Sequence, residues 1–257
     1  MKIVYLLLVL VPLFSCKVHR QNRNYSNEIV KNIPLGDSVI HLVKGDGIKD
    51  NYLLMNVHEN EQTAIHAMVR GSMKYSIPYV YLHHTRQRRI VFSSSDTTYS
   101  IDPNRIFTLN GCIKTLKDSM TFSKDGLELT HALAEQITEE LKDKQWLIAM
   151  HNNTDGKYSI LSYQDGGEEA QNATDLYINP KEDSDDFVYT TNRPLFDFLK
   201  LQKINVVLQS KESFVDDGSM SVYCELNKIQ YANIETQHGH LSKQLKLLAE
   251  IVKFFEL

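Results

Sequence analysis

The feature that most constrains this chain is a series of short apolar runs, each bounded by polar or turn-forming residues. Apolar runs of four to eight residues between turn signals predict buried β-strands. The predicted strands are residues 39–43, 52–57, 79–82, 90–92, 146–150, 204–208 and 229–234.

Helical patterns lie between these predicted strands. Leucine or isoleucine recurs every four residues within 126–142, and an apolar stripe at helical spacing follows over 241–255. A shorter helix is expected directly after Glu61. Strands that alternate with helices predict an α/β fold, here with a mixed, mostly parallel sheet and helices on both faces. Residues 164–186 are rich in Asp, Glu, Gly and Asn, which predicts a long loop.

The first sixteen residues differ from the rest. Lys2 precedes an apolar run that ends at Phe14, shorter than the roughly 20 residues a membrane span needs and typical of a secretory signal. Cys16 after Ser15 resembles the end of a bacterial lipoprotein signal, although a small residue is usual at Phe14. The resemblance implies a lipid on Cys16, a membrane anchor and a cell-envelope location, periplasmic or outer-membrane-associated. A single buried helix is the alternative.

This N-terminal pattern sets the expected domain organisation. Residues 1–16 would be the signal, 17–35 a polar tether and 36–257 a single domain. The formal charge of -4 provides no basic field for nucleic acid. Beyond Cys16 only Cys112 and Cys224 remain, too few for a disulfide framework. We expect them to be isolated core thiols, with a disulfide between them in an oxidising compartment as the alternative.

Three chemically versatile residues stand directly after predicted strands. His58 follows the run 52–57, His151 follows 146–150, and Glu235 follows 229–234. In open α/β sheets, ligands bind at the carboxyl ends of the strands. We therefore expect these three side chains at the same edge of the sheet.

His58 and Glu61 are three residues apart, so a strand-to-helix turn lets both side chains face one point. Zinc accepts imidazole nitrogen and carboxylate oxygen, and a catalytic site needs three protein ligands and one open position. His151 is the expected third ligand. The pattern predicts one zinc ion, although these donors also suit other divalent ions. The alternative for His58 and Glu61 is an ordinary helix start.

The segment 101–107 contains Asp102, Asn104 and Arg105. It resembles the Asp-x-Asn-Arg motif of zinc carboxypeptidases and of the succinylglutamate desuccinylase/aspartoacylase family. The order of motifs is also similar: His-x-x-Glu, Asn-Arg, a lone His after a strand, and a Glu after a late strand. Residues 231–235 resemble the strand that carries the catalytic glutamate. The resemblance covers residues 41–240.

The resemblance implies a zinc-carboxypeptidase-like fold and a role for each matched residue. Asn104 and Arg105 would hold a substrate carboxylate, for which the planar guanidinium offers two parallel hydrogen bonds. Glu235 would take a proton from the attacking water and return it to the leaving amine. Aspartoacylases have a further arginine where Thr97 stands here, so oxyanion stabilisation would fall to zinc alone or to an arginine at position 88 or 89.

The function implied is hydrolysis of an amide bond next to a free carboxylate by a zinc metallohydrolase. With an envelope location, a carboxypeptidase or amidase acting on peptides or peptidoglycan stem peptides is the leading hypothesis. An N-acyl amino acid deacylase and a lipoprotein that binds a ligand without turnover are the alternatives. A purely structural envelope protein would require scattered ligands. Glu225 is a rival to Glu235 as general base, because it lies ten residues earlier in another apolar context. The alternative for Glu235 is a solvated residue at the edge of a strand.

Overall fold

The computed structural model describes residues 28–211 and 213–257. The predicted signal, Cys16 and the first part of the predicted tether lie outside the described residues. Within the described ranges, no helix combines the length and the apolar character that a membrane span requires.

The described chain alternates strands and helices along its length. The strands are β1 (Ile29–Leu35), β2 (Ser38–Gly45), β3 (Tyr52–Asn56), β4 (Tyr79–His83), β5 (Ile90–Ser94), β6 (Thr97–Ile101), β7 (Trp146–Asn153), β8 (Ala173–Tyr177), β9 (Phe187–Thr190), β10 (Val206–Gln209) and β11 (Gln230–Gln237). The α-helices are α1 (Gln62–Tyr75), α2 (Leu109–Asp118), α3 (Lys124–Thr138), α4 (Arg193–Leu201), α5 (Met220–Leu226) and α6 (Leu241–Phe255).

Nine of these strands form one sheet in the order β1-β2-β4-β3-β7-β11-β9-β10-β8, and β5 pairs with β6 in a separate hairpin. The central strands β4, β3, β7 and β11 are mutually parallel. Antiparallel pairs lie on either side of this centre. The mixed α/β sheet predicted from the sequence is confirmed, with parallel pairs among the four central strands and between β9 and β10.

The sheet separates two hydrophobic cores. Along a strand, successive side chains point to opposite faces, so Ile148 and Met150 pack on one face while Leu147 and Ala149 pack on the other. Helices α1, α4 and α6 cover the first face, and α2, α3 and α5 cover the second. The prediction of helices on both faces is therefore confirmed.

Two boundaries differ from those expected. The predicted tether is too long, because residues 29–35 form β1 and pair with β2 in antiparallel register. Buried Ile33 and Leu35 alternate with more exposed neighbours in β1, a half-buried pattern that the polar surroundings obscured in the sequence. The predicted loop 164–186 contains β8, which pairs with β10 at the sheet edge.

Cys112 and Cys224 are free and buried, which confirms the expected core thiols. Burial raises the pKa of the Cys112 thiol to about 12. A thiol held protonated in this way is a poor metal ligand and a poor nucleophile. Neither cysteine belongs to the candidate metal clusters of the described chain.

Helices α1 and α6 approach closely where Gly71 faces Leu248. A Cβ on Gly71 would lie 2.2 Å from Leu248 Cδ2. We expect Gly71→Ala to overpack this contact and to lower the free energy of unfolding by about 1–3 kcal/mol. The penalty should largely disappear in a Leu248→Ala background, which itself costs about 2–5 kcal/mol. Urea denaturation of the four proteins measures this coupling. An equal penalty in both backgrounds would contradict the contact.

Candidate metal centre

Three parallel strands bring the predicted site residues together. Strands β3, β7 and β11 are neighbours in the sheet. His58 lies just beyond the end of β3, whereas β7 and β11 continue through His151 and Glu235, which are opposite each other in register. His58, His151 and Glu235 therefore meet at the carboxyl ends of these strands, the edge predicted from the sequence. Strands β7 and β11 extend beyond the apolar runs from which they were predicted, because strand pairing does not require apolar side chains.

The side chains of His58, Glu61 and His151 converge on one point. Nδ1 of His58 lies 2.9 Å from Oε1 of Glu61, and Nδ1 of His151 lies 2.8 Å from Oε2 of the same carboxylate. The two Nδ1 atoms are 3.3 Å apart. Each of the three residues is at most 3% exposed. Their ligand atoms all lie within 4.8 Å of one another, which makes them a candidate metal site.

Asp102 orients the ring of His58. Its Oδ1 lies 2.8 Å from Nε2 of His58, on the side of the ring that faces away from the cluster. A hydrogen on Nε2 donates to this carboxylate and leaves the lone pair of Nδ1 directed at the cluster. Two imidazole nitrogens and one carboxylate oxygen are donors that a divalent metal such as zinc accepts. The residues present therefore fit a metal ion.

The charges around Glu61 keep its carboxylate ionised although it is buried. Burial works against the charge, but the neighbouring imidazoles of His58 and His151 outweigh it and hold the pKa of Glu61 well below its usual range. Asn56 Nδ2 donates to the carboxylate at 3.0 Å and Arg88 Nη1 donates at 2.9 Å. Burial also works against a charge on His58. The carboxylates of Glu61 and Asp102 outweigh this effect and raise the pKa of the His58 imidazole.

Glu235 lies beside this cluster. It is 7% exposed and lines a cavity of about 450 Å³ together with the three candidate ligands. Burial raises the pKa of Glu235, and Asn233 Nδ2 donates to its Oε1 at 3.0 Å. The rival Glu225 lies on α5, forms an ion pair with Lys211 at 3.5 Å and is not among the residues that line the cavity.

Asn104 and Arg105 line the same cavity from the turn before α2. Arg105 Nε lies 3.3 Å from Asp217 Oδ2, and its Nη1 donates to the carbonyl of Asn104. Burial opposes the charge on the guanidinium, but Asp217 and Asp102 outweigh it and raise the pKa of Arg105. The amide oxygen of Asn104 accepts a hydrogen bond from the backbone of Met220. Contacts from α5 and the loop before it therefore position the pair.

Of the two arginines considered for the oxyanion, Arg88 lies at the site and Arg89 does not. Arg88 lines the cavity, contacts Glu61 and lies 3.6 Å from Asp102. Arg89 instead donates to the hydroxyl and the carbonyl of Ser100 in the β5–β6 hairpin. Thr97 begins β6 and is not a cavity residue.

The sequence did not indicate the buried residue Glu59, which holds the segment that carries Arg88. Its Oε2 accepts from the backbone nitrogens of His84 at 2.7 Å and Arg86 at 2.6 Å, and its Oε1 pairs with the ring of His83. In the sequence, only its position next to His58 could have drawn attention to Glu59. No spacing rule links Glu59 to residues 83–86, which it contacts.

No protein-family model and no curated protein matches this chain by sequence. Among solved structures, the chain is similar to a candidate succinylglutamate desuccinylase/aspartoacylase from Shewanella frigidimarina NCIMB 400, with 11% identity over 89% of this chain and 71% of that one (TM-score 0.44). It is also similar to a candidate metallopeptidase from Shewanella baltica OS155, with 14% identity over 89% and 85% (TM-score 0.46). A metallo-carboxypeptidase from Burkholderia cenocepacia is similar at 10% identity over 88% and 65% (TM-score 0.45).

Glu59 offers a test of how the loop before β5 is held. Glu59→Ala leaves the two backbone N–H groups of residues 84 and 86 without their acceptor, which we expect to cost about 1–3 kcal/mol of unfolding free energy. Glu59→Gln keeps one oxygen for both N–H groups, so its cost should be clearly smaller. Urea denaturation gives the free energies, and hydrogen exchange of residues 83–88 should accelerate in the alanine variant. Equal effects of the two substitutions would show that the hydrogen bonds to Oε2 do not stabilise this segment.

Proposed function

We propose that this protein is a zinc-dependent hydrolase that cleaves an amide bond next to a free carboxylate. The observation that carries the proposal is one cavity lined by three kinds of group. These are the buried His-Glu-His cluster, a buried glutamate beside it, and an Asn-Arg pair on another wall. A catalytic zinc site needs such a three-ligand set with an open position, and the remaining groups supply a base and a carboxylate-binding cation.

Each group has a distinct task in this proposal. Arg105, with Asn104 beside it, binds the substrate carboxylate and so sets which amide bond reaches the cluster. Glu235 accepts a proton from the attacking water and passes it to the leaving amine, a role that its raised pKa favours. Arg88 donates to the carbonyl oxygen as negative charge develops there, in place of the arginine missing at Thr97.

Zinc bound by His58, Glu61 and His151 would supply Lewis acidity, which polarises a carbonyl and makes a water molecule easier to deprotonate. Asp102 supports this set by holding the ring of His58 in the ligating orientation. His58, just beyond the end of β3, and His151, on β7, support this ligand set, because the Nδ1 atoms of both contact the Glu61 carboxylate.

The proposed location narrows the substrate class. With a lipid on Cys16, the enzyme would be tethered in the cell envelope and would meet peptides and peptidoglycan stem peptides. We therefore propose a carboxypeptidase or amidase activity on such substrates. The N-terminal sequence pattern and the proposed carboxylate-binding pair, Asn104 and Arg105, support this choice of substrate class.

Elemental analysis of the purified protein tests the metal site. We expect about one zinc per wild-type chain, in keeping with a single three-ligand site. His58→Ala should lose the metal while circular dichroism shows a folded protein. His131→Ala changes a half-exposed histidine remote from the cluster and should keep it. A wild-type protein that stays metal-free after reloading with zinc would rule out the zinc hydrolase proposal.

Paired glutamate variants test the general base. Glu235→Gln should lower kcat by about 10²–10⁴-fold, the contribution typical of a positioned acid–base group, and should retain the zinc. Glu225→Gln, on α5 outside the cavity, should leave kcat within about twofold of wild type, because surface changes away from the site have small effects. Hydrolysis of short peptides, followed by release of the C-terminal amino acid, provides the readout. A larger loss in the Glu225 variant would assign the base to that residue instead.

A further inference from the structure

The cavity extends from the metal cluster along one face of the sheet. Side chains alternate along β11, so Ala232 and Ile234 pack in the core beneath α1, α4 and α6. Tyr231, Asn233 and Glu235 point the other way and line the cavity. The floor of the cavity is therefore a row of polar groups that begins next to His151 and leads away from it.

Gln209, the last residue of strand β10, also lines the cavity and is 1% exposed. Neither its Nε2 nor its Oε1 has a hydrogen-bond partner among residues 28–211 and 213–257. Asn233 also has an unpartnered amide oxygen within the same ranges. A buried polar group left unpaired costs about 1–3 kcal/mol, so these atoms are poised to bind a ligand or water in the cavity.

Three further tyrosines line the cavity together with Gln209. The hydroxyls of Tyr158 and Tyr163 contact each other, and Tyr189 lines the cavity beside them. Burial raises the pKa of all three phenols well above their usual value, so they stay uncharged. The Tyr189 hydroxyl donates to the carbonyl of Asn172 at 3.3 Å. Glu169 also lines the cavity, but it is half-buried and its Oε2 already accepts from Asn172 at 2.6 Å.

An amide has one donor group and one acceptor group side by side. A carboxamide on a ligand satisfies both atoms of Gln209 with two hydrogen bonds, whereas an ammonium leaves Nε2 unpaired and a carboxylate leaves Oε1 unpaired. An aliphatic side chain leaves both unpaired, and sites of this kind discriminate strongly against analogues that lack the matching polar group.

We propose that this end of the cavity is a specificity site for a neutral, hydrogen-bonding side chain, best matched by a carboxamide, and that Gln209 is its determinant. The side chain belongs to the residue whose carboxylate Arg105 binds. The inference rests on the proposed function for that assignment, because it takes Arg105 as the carboxylate anchor. It adds the chemical class of the terminal residue, which the metal cluster does not specify.

Binding of free amino acids tests the site without turnover. We would titrate wild-type protein with glutamine, norleucine, lysine and glutamate, each as both enantiomers, by isothermal titration calorimetry. One enantiomer of glutamine should bind at least 10-fold more tightly than the matching norleucine. Gln209→Leu should abolish this preference and leave norleucine binding unchanged or tighter. Gln202→Leu, at an exposed position after α4, is the matched control and should behave as wild type.

Four results would overturn the proposal. The first is equal binding of glutamine and norleucine, and the second is a glutamine preference that survives Gln209→Leu. The third is tightest binding of lysine, which would make Glu169 the determinant. The fourth is failure to bind any of the four ligands. Peptide hydrolysis is measured separately: glutamine selectivity without hydrolysis would overturn only the proposed hydrolase function, and hydrolysis without this selectivity would overturn only the specificity site.

Discussion

The site depends on the contacts that the buried carboxylate of Glu61 makes with its charged and hydrogen-bonding neighbours. Burying an ionised carboxylate costs far more than burying a neutral group unless charged or hydrogen-bonding partners surround it. Here the partners come from four parts of the chain: Asn56 at the end of β3, His58 in the following turn, Arg88 before β5, and His151 on β7. A change that displaces Glu61 would leave two histidines and an arginine close together without their common anion.

The sheet face connects this cluster to the rest of the cavity. Because every second residue of β11 points to the same face, Glu235, Asn233 and Tyr231 form a continuous polar row along a strand whose other face is apolar. In the proposed function, acid–base chemistry and side-chain selection belong to this sheet face, whereas carboxylate binding belongs to the turn before α2. Buried Glu59 and half-buried Asp102 act on the cavity indirectly, since the first holds the loop that carries Arg88 and the second orients the ring of His58.

Apolar runs and helical stripes were sufficient to predict the central strands and the helices α1, α3 and α6, because these elements are buried and their periodicity is strong. They did not reveal β1, β6, β8, β9, α2, α4 or α5, which are short or lie toward the edges of the fold. The predicted tether overlapped β1 because only alternate residues of that strand are buried. Within the site, the His-x-x-Glu spacing, the Asn-Arg pair and the lone His151 identified five residues that line one cavity, yet the sequence could not choose between Glu235 and Glu225. Both follow apolar residues, and only their positions on β11 and α5 distinguish them.

The local features were already fixed along the chain: a histidine and a glutamate in one turn, an Asn-Arg pair with a guanidinium group, and the α/β alternation of elements. These features depend on spacing along the chain and on the periodicity of side chains, which can be read directly. The tertiary structure alone decided that β3, β7 and β11 are neighbours, that Arg88 and not Arg89 reaches Glu61, and that Gln209 is buried in the cavity without a described partner. Strand order and burial depend on contacts between residues far apart in sequence, and no local pattern encodes which distant side chains will meet.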